Sequence, residues 1–164
     1  MGFKVRVRGV NTYVRAMSKI SDRLHDSARD GIDDAAEYLL KKVVDKIGTY
    51  QSIGGDPGGY GAWKKLKYET RVKKLRKYGV GDKPLFASGD LKGSFSVIPG
   101  GKGRLSASVG SDSSYLIHHV YGAPGRHVPM RDPILITAKE ERDECYEIIE
   151  QAIFDEIDRT WGGG

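Results

Sequence analysis

A helical pattern over residues 12 to 47 constrains the fold more than any other part of the sequence. Apolar side chains recur every three or four positions from Val14 to Ile47, which is the spacing that places them on one face of an α-helix. Gly31 lies in the middle and weakens a helix by about 1 kcal/mol relative to alanine. The pattern therefore predicts either a kink at Gly31 or two helices in sequence. The second half carries extra apolar residues, so we expect it to be the more deeply buried half.

Three shorter segments complete the predicted fold. Residues 3–8 alternate between apolar and basic side chains, which predicts a half-buried strand. Residues 95–109 contain two alternating segments around the turn sequence PGGKG, which predicts a β-hairpin. Thr137 and Glu140 have the spacing of a capping box and predict the start of a C-terminal helix. We therefore predict an α+β fold in which a small antiparallel or mixed sheet, including the hairpin, packs against a long N-terminal helix and a C-terminal helix.

The chain of 164 residues is expected to form one domain over residues 1–164. Residues 48–61, GTYQSIGGDPGGYG, are rich in glycine and predict a flexible loop. This loop lacks the Gly-Lys-Ser/Thr ending of a phosphate-binding loop. The segment from Trp63 to Tyr78 follows, and its thin apolar stripe predicts a basic helix.

The charge of the chain is unevenly distributed. The net charge is +5, but residues 62–78 contain eight bases and one acid, whereas residues 139–158 contain nine acids and two bases. The basic and acidic segments could bind one another within a subunit or between subunits. They could also remain two solvated faces.

Neither a membrane segment nor a disulfide is predicted. No apolar run approaches the roughly 18 residues that a membrane-spanning helix needs, and charges interrupt the apolar residues of the first ten positions, unlike a signal peptide. Cys145 is the only cysteine, which excludes a disulfide within the chain. Synthesis in a reducing cytosol fits this composition.

The stretch from Ile117 to Ile134 holds three of the four histidines and a Gly-Ala-Pro-Gly turn. A metal site, a catalytic loop and a structural turn are the alternatives. His118 and His119 are adjacent, so on a strand they would point to opposite faces, and no second cysteine completes a set of four metal ligands. The pattern favours structural or interfacial histidines, and we predict no metal and no cofactor.

Catalytic constellations are also weak, and we predict that the protein is not an enzyme. Ser88 does not lie in the strand-to-helix elbow of a hydrolase nucleophile. Cys145 lies on the apolar stripe of a predicted helix, where a buried and inert thiol is typical. Paired carboxylates such as Asp33 and Asp34 lie on helical stretches, whereas a nuclease needs acids that converge at strand ends.

Nucleic-acid binding is the stronger alternative. A basic helix that carries Trp63, Tyr68 and Tyr78 could bind a phosphate backbone and offer aromatic rings for stacking. The order of elements matches none of the common DNA-reading motifs. This alternative is a basic nucleic-acid-binding protein that acts in DNA packaging or processing.

Four segments in sequence carry a resemblance to a known family. The first is FKVRVRGV followed by NTYVRAMSKI, and the others are AWKKLKYETRVKKL, PLFASGDLKGSFSV and IHHVYGAP with VPMRDPIL. The motif positions that match are Trp63, Leu66, Thr70, Leu85, Ser88, Gly89, Leu91, Ser94, His119, Gly122, Pro129, Arg131 and Leu135. Over nearly its whole length the chain resembles the tail-completion and head–tail joining proteins of tailed bacteriophages, also called virion-morphogenesis proteins.

The resemblance implies a structural protein of the virion, located in the neck or at the tail end and made in the cytoplasm of the host bacterium. Such proteins form rings, here expected to be homohexamers, which complete the tail and join it to the head connector. The implied partners are other copies of the chain, the connector proteins, and the tail tube or tail terminator. DNA would pass through the ring without sequence-specific binding, and no membrane is involved.

A ring joins one face of a subunit to a different face of the next. Opposite charges on the basic segment and the acidic terminal helix suit such a contact. The candidate interface residues are Lys64, Lys65, Lys73, Lys74, Lys77, Arg131, Glu140, Glu144 and Glu147. For the histidine stretch we expect a strand end at His119, a turn over residues 122–125, and an Arg131 side chain that pairs with a nearby acid or backbone carbonyl.

Overall fold

The computed structural model describes residues 10–56, 61–101 and 103–161. The helices are α1 (Val10–Lys46), α2 (Tyr68–Tyr78), α3 (Asp90–Gly93), α4 (Leu116–Val120), α5 (Pro133–Glu140) and α6 (Arg142–Trp161), and the strands are β1 (Phe95–Pro99) and β2 (Ala107–Ser111). These elements confirm the predicted α+β class. The strand predicted over residues 3–8 lies outside the described residues. No helix within the described ranges is long and apolar enough to span a membrane.

Helix α1 is a single helix of 37 residues, so of the two alternatives at Gly31, two helices in sequence is wrong and a kink stays a prediction. Gly31 does not interrupt α1 because it serves packing: a Cβ added there would lie 2.9 Å from the Cβ of Ala152 and 3.1 Å from the Cα of Ile149 in α6. Ser27 donates a hydrogen bond of 2.5 Å to the carbonyl oxygen of Ala152 beside the same crossing. The glycine therefore lets the backbones of α1 and α6 approach closely.

Helix α6 runs antiparallel to α1, since Ala152 faces Gly31 while Glu141, just before α6, faces the later residues Tyr38 and Lys42. The hydroxyl of Tyr38 donates to the Glu141 carboxylate at 2.5 Å, and the Lys42 ammonium lies 3.2 Å from the same carboxylate. These polar contacts fix the register of the two helices at the end where α6 begins.

The hydrophobic core lies between the second half of α1 and the β-hairpin. Val43, Ile47, Phe95 and Leu116 are buried together, whereas the early α1 residue Tyr13 is 68% exposed. This confirms that the second half of α1 is the more deeply buried. Strands β1 and β2 pair antiparallel, with Val97 opposite Val109, which confirms the predicted hairpin.

The C-terminal helical region begins earlier than predicted. Asp132 is the N-cap of α5, and its Oδ1 accepts hydrogen bonds of 3.0 Å from the amides of Ile134 and Leu135. Pro133 occupies the first helical position, where its missing N–H carries no penalty. Thr137 instead is buried inside α5 and donates to the Pro133 carbonyl at 2.8 Å. The capping box at Thr137 is therefore wrong, because Asp-Pro starts the helix one turn earlier.

The predicted basic helix is shorter than its sequence pattern suggested. Helix α2 begins at Tyr68 and contains no buried residue. Trp63 precedes it in a segment outside any helix or strand, is only 3% exposed, and donates its backbone amide to the Gln51 carbonyl at 2.9 Å. The helix start at Trp63 is therefore wrong, because burial of the indole and the backbone hydrogen bond to Gln51 keep this residue out of the helix.

Residues 57–60 of the glycine-rich loop lie outside the described residues, and its flexibility stays a prediction. The part before them packs against the domain. Gly54 has a φ of +79° and is buried, and a Cβ added there would collide with the side chain of Ile136. Its carbonyl accepts the amide of Asp132 at 3.1 Å, so it joins the loop to the start of α5.

Candidate interaction surface: a basic groove and an acidic helix

An open groove of about 760 Å³ lies between residues 64–67, which precede α2, and the segment from Tyr121 to Arg131. We call it the basic groove. Its lining contains five permanently basic side chains: Lys64, Lys65, Lys67, Arg126 and Arg131. None of the described residues that line the groove is acidic.

The far wall of the groove is a compact turn. Ala123 and Val128 exchange two backbone hydrogen bonds, of 2.9 and 3.1 Å, around a 3₁₀ turn over Pro124–Arg126. Gly122 enters the turn with a φ of +70°, a conformation that L side chains rarely adopt. The chain therefore does turn over residues 122–125, as predicted, and Pro129 lies in the groove lining that follows.

Arg131 joins the two walls of the groove. Its backbone amide donates to the His119 carbonyl at 2.7 Å, and its guanidinium Nη2 donates to the Lys64 carbonyl at 2.6 Å. Of the two predicted partners, the backbone carbonyl is the one observed. The side chain is only 3% exposed. Within the described part of the chain, no carboxylate forms an ion pair with Arg131, and its Nε has no hydrogen-bond partner.

His119 lies in helix α4, so the strand end predicted there is wrong. The turn before α4 explains the difference: Ser113 accepts the amide of Leu116 on its carbonyl at 3.1 Å, and its hydroxyl lies 3.4 Å from the Tyr115 amide. Burial, together with the positive charges of Arg131 and His118, lowers the pKa of His119 to about 4. The imidazole is therefore neutral near pH 7.

This neutral imidazole makes stability depend on pH. In the unfolded chain a histidine titrates near pH 6.5, whereas the folded His119 titrates at about 4. Between these values the unfolded state binds the proton and the folded state does not, so stability falls as pH decreases through this window. We expect the free energy of unfolding to fall less between pH 7 and pH 4.5 in His119→Gln than in the wild type, as measured by urea denaturation.

His127 supplies the matched control, because it lines the same groove but is exposed. His127→Gln should keep the full pH dependence of the wild type. An equal loss of pH dependence in both variants would contradict a special role for the burial of His119.

The described residues contain no group of three or more His, Cys, Asp or Glu side chains that could hold a metal ion. His118 Nε2 lies 3.4 Å from the guanidinium of Arg126, so it contacts a cation rather than a set of ligands. Cys145 lies in the first turn of α6 and is partly buried, and this burial raises the pKa of its thiol. A raised thiol pKa leaves little of the reactive thiolate at neutral pH.

The structure separates the predicted basic interface residues into two groups. Lys64 and Lys65 are exposed at the groove, whereas Lys73 and Lys77 are exposed on α2 outside its lining. Lys74 is half-buried and donates to the Lys83 carbonyl. Burial lowers the pKa of Lys74, and the charge of Arg131 adds to that effect. Lys74 therefore contributes to the packing of α2 as well as to its charge.

The acidic interface residues also differ. Glu140 forms an ion pair with Lys46 of α1, so it has a partner within its own subunit. Glu144 and Glu147 are exposed on α6. No ion pair that the structure describes joins an acid of α6 to a base of residues 62–78. The sequence left open whether the basic and acidic segments pair within one subunit. The described residues show no such pairing.

The side of α6 that faces away from α1 combines acids with aromatic rings. Glu147, Glu150, Phe154, Asp158 and Trp161 recur at helical spacing, and we call them the outer face of α6. Phe154 and Trp161 are each 57% exposed. The sequence pattern predicts that Trp161 ends the apolar stripe of the C-terminal helix, and in the described structure this end of the stripe is exposed. The outer face was missed because Phe154 falls between apolar positions of the same helix.

The remaining motif residues hold the segment that precedes the hairpin. Leu85 and Leu91 pack against the core cluster. Ser88 donates to the Asp90 carboxylate at 2.6 Å, and Gly89 has a φ of +102° at the N-cap of α3. Ser94 donates to the Leu91 carbonyl at 2.8 Å and lies 2.6 Å from the hydroxyl of Ser111. This motif therefore forms a turn and attaches it to β2.

The motif around Trp63 attaches the near wall of the groove to the domain. Leu66 is half-buried and donates its amide to the Tyr50 hydroxyl at 2.9 Å, while Thr70 is exposed in the groove lining. Sequence reasoning missed that Lys67 and Arg126 would join Lys64 in one groove. Comparisons of the chain with protein-family models, with curated proteins and with solved structures found no match.

Proposed function

We propose that this chain is a structural protein of the virion of a tailed bacteriophage, located in the neck or at the tail end. In this proposal copies of the chain form a ring, about six in number, that completes the tail and joins it to the head connector. The ring would be assembled from protein made in the host cytoplasm and would surround the passing DNA without reading its sequence. The support is the resemblance of the four sequence segments together with the distribution of charge over the fold.

One observation carries the assembly part of the proposal. The basic residues of the groove and of α2 and the acidic residues of α6 belong to the same subunit, yet no described ion pair joins them. Two complementary surfaces that stay unpaired within a subunit suit a contact in which one face meets a different face of the next copy. Such a contact closes into a ring when the rotation between copies divides a full turn.

The joining role is tested by deleting the gene from the phage that carries it and examining the lysate by electron microscopy. We expect DNA-filled heads beside separate, unattached tails, and we expect the wild-type gene supplied in trans to restore joined virions. Intact virions from the deletion would remove the joining role.

A second candidate, nucleic-acid binding in packaging or processing, is favoured by the exposed aromatic rings near the basic side chains. Tyr121 is 77% exposed in the groove lining, and Tyr68 is 72% exposed at the start of α2. The affinity for double-stranded DNA, measured by fluorescence anisotropy over a series of salt concentrations, separates the two candidates. A steep fall in affinity with salt would indicate several phosphate contacts and would favour this second candidate.

A further inference from the structure

We propose that the basic groove binds the outer face of α6 of a second copy of this chain, so that copies join head to tail. The inference rests on the self-association part of the proposed function and names the two surfaces that meet. It does not depend on where in the virion the assembly lies.

The first argument is the uncompensated charge of the groove. Five permanently basic side chains line it, and no acid does so among the described lining residues. Glu69 of α2 is exposed and does not line the groove. Asp82 is already held by the hydroxyl of Tyr50 at 2.5 Å and by Arg71 of α2 at 3.6 Å. An isolated subunit therefore keeps a positive potential over the groove, which attracts carboxylates.

The second argument is Arg131 beneath the groove. A buried charge is costly unless it is paired and hydrogen-bonded. In the described structure, the buried guanidinium of Arg131 donates a hydrogen bond only to the backbone carbonyl of Lys64. The positive charge of Arg131 acts on its neighbours, since it contributes to lowering the pKa of both Lys74 and His119. Carboxylates placed over the groove by a second copy would compensate this charge.

The third argument is the apolar part of the groove. Val128, Pro129 and Met130 line it together with the exposed ring of Tyr121. A polyanion such as DNA would use the basic side chains and the ring of Tyr121 but would leave Val128, Pro129 and Met130 without a partner. Protein interfaces combine a central apolar contact with a charged rim, so the groove suits an occupant that carries both acids and an aromatic ring.

The outer face of α6 has this chemistry. Glu147, Glu150 and Asp158 surround Phe154, and the four lie on one side of the helix within about three turns, or roughly 16 Å. Phe154 is 57% exposed, so it is free to enter an apolar groove. None of these residues lines the groove of its own subunit. The two surfaces are therefore distinct, as a head-to-tail contact requires.

The test uses two charge-reversal variants of the full chain. Each variant reverses the charge of two side chains on one of the two surfaces. The groove variant is Lys64→Glu with Lys65→Glu, and the helix variant is Glu147→Lys with Glu150→Lys; all four side chains are exposed. Far-ultraviolet circular dichroism and thermal unfolding first establish that each variant folds. Self-association is then measured by sedimentation velocity at low and at high salt.

We expect the wild type to self-associate at low salt and each variant to do so at least about tenfold more weakly. A mixture of the two variants should regain association in alternating order, because the native groove of one variant meets the native α6 face of the other and the reversed groove meets the reversed face. Joining all four substitutions in one chain should restore self-association, since the reversed charges remain complementary. A mixture that stays monomeric, or a wild type that stays monomeric at the highest soluble concentration, would overturn the proposal.

The matched control is Lys73→Glu with Lys77→Glu, which changes the charge by the same amount on exposed positions of α2 outside the groove. This variant should self-associate within about twofold of the wild type, apart from the general effect of net charge. If it weakens self-association while the groove variant does not, the groove proposal fails and the ring proposal stands. If the groove variant instead loses only its affinity for DNA, the groove serves nucleic acid and the proposal is overturned.

The two proposals can fail separately. Self-association through these surfaces together with intact virions from the gene deletion would leave the inference standing and remove the joining role. Unattached tails from the deletion, rescued equally well by the wild type and by the groove variant, would retain the joining role and overturn the inference.

Discussion

Replacing Ile136 with alanine is expected to lower the free energy of unfolding by about 2–5 kcal/mol, the range typical of such truncations in a core. Ile136 lies in α5 and has no exposed surface. Gly54 packs directly against its side chain and carries the backbone carbonyl that accepts the Asp132 amide. Truncation would leave a cavity between the loop before residue 57 and α5, and the bonded backbone limits how far this region can collapse to fill it.

The measurement is urea denaturation followed by circular dichroism, with Ile98→Ala as the matched control. Ile98 lies on the hairpin strand β1 and is 56% exposed, so the same chemical change should cost about 0.5 kcal/mol or less. Similar losses for both variants would contradict the buried position of Ile136. A loss below about 1 kcal/mol for Ile136→Ala would show that the site can collapse around the smaller side chain.

The parts of the fold that the sequence predicts are those decided by local periodicity. The three-to-four spacing from Val14 to Ile47 predicts α1, and the alternation around the glycine turn predicts the hairpin, in which Val97 pairs with Val109. In both cases the residues that define the pattern also form the element. Contacts with neighbouring segments decide only which residues of the helix or strand are buried.

The predictions that fail are those in which a distant contact or a competing cap decides the structure. Trp63 has a helical pattern around it, but the indole is buried and its backbone pairs with Gln51. Thr137 has the spacing of a capping box, but Asp132 followed by proline starts the helix earlier. Gly31 has low helix propensity, but contact with α6 gives it a packing role that no local pattern displays.

The candidate site was predicted only in part for the same reason. The sequence identifies Lys64 and Arg131 as interface candidates, and it predicts a carbonyl or an acid as the partner of the guanidinium. It does not indicate that the carbonyl belongs to Lys64, which lies 67 positions away. The groove depends on this long-range contact, and therefore Lys67 and Arg126 join it without any local signal.

Replacing Gly31 with leucine is expected to destabilise the protein by about 2–3 kcal/mol, although leucine is the better helix former by nearly 1 kcal/mol. A Cβ at this position would lie 2.9 Å from the Cβ of Ala152 and 3.1 Å from the Cα of Ile149. The second of these atoms belongs to the backbone of α6 and cannot rotate away. The helices must therefore separate, which loses contacts along their shared length. Urea denaturation measures the loss.

A double-mutant cycle shows whether the crossing of α1 and α6 is the cause. Gly31→Ala adds one methyl group on the α1 side of the contact, and Ala152→Gly removes one on the α6 side. Their combination therefore relieves the closest overlap. We expect the double variant to be more stable than the sum of the single changes predicts, by about 0.5–2 kcal/mol of coupling. Gly93→Ala is the control, because a Cβ there would meet nothing within 4 Å, and it should be neutral or slightly stabilising. Additive changes in the cycle would mean that the Cβ of Ala152 is not what makes a side chain at position 31 unfavourable.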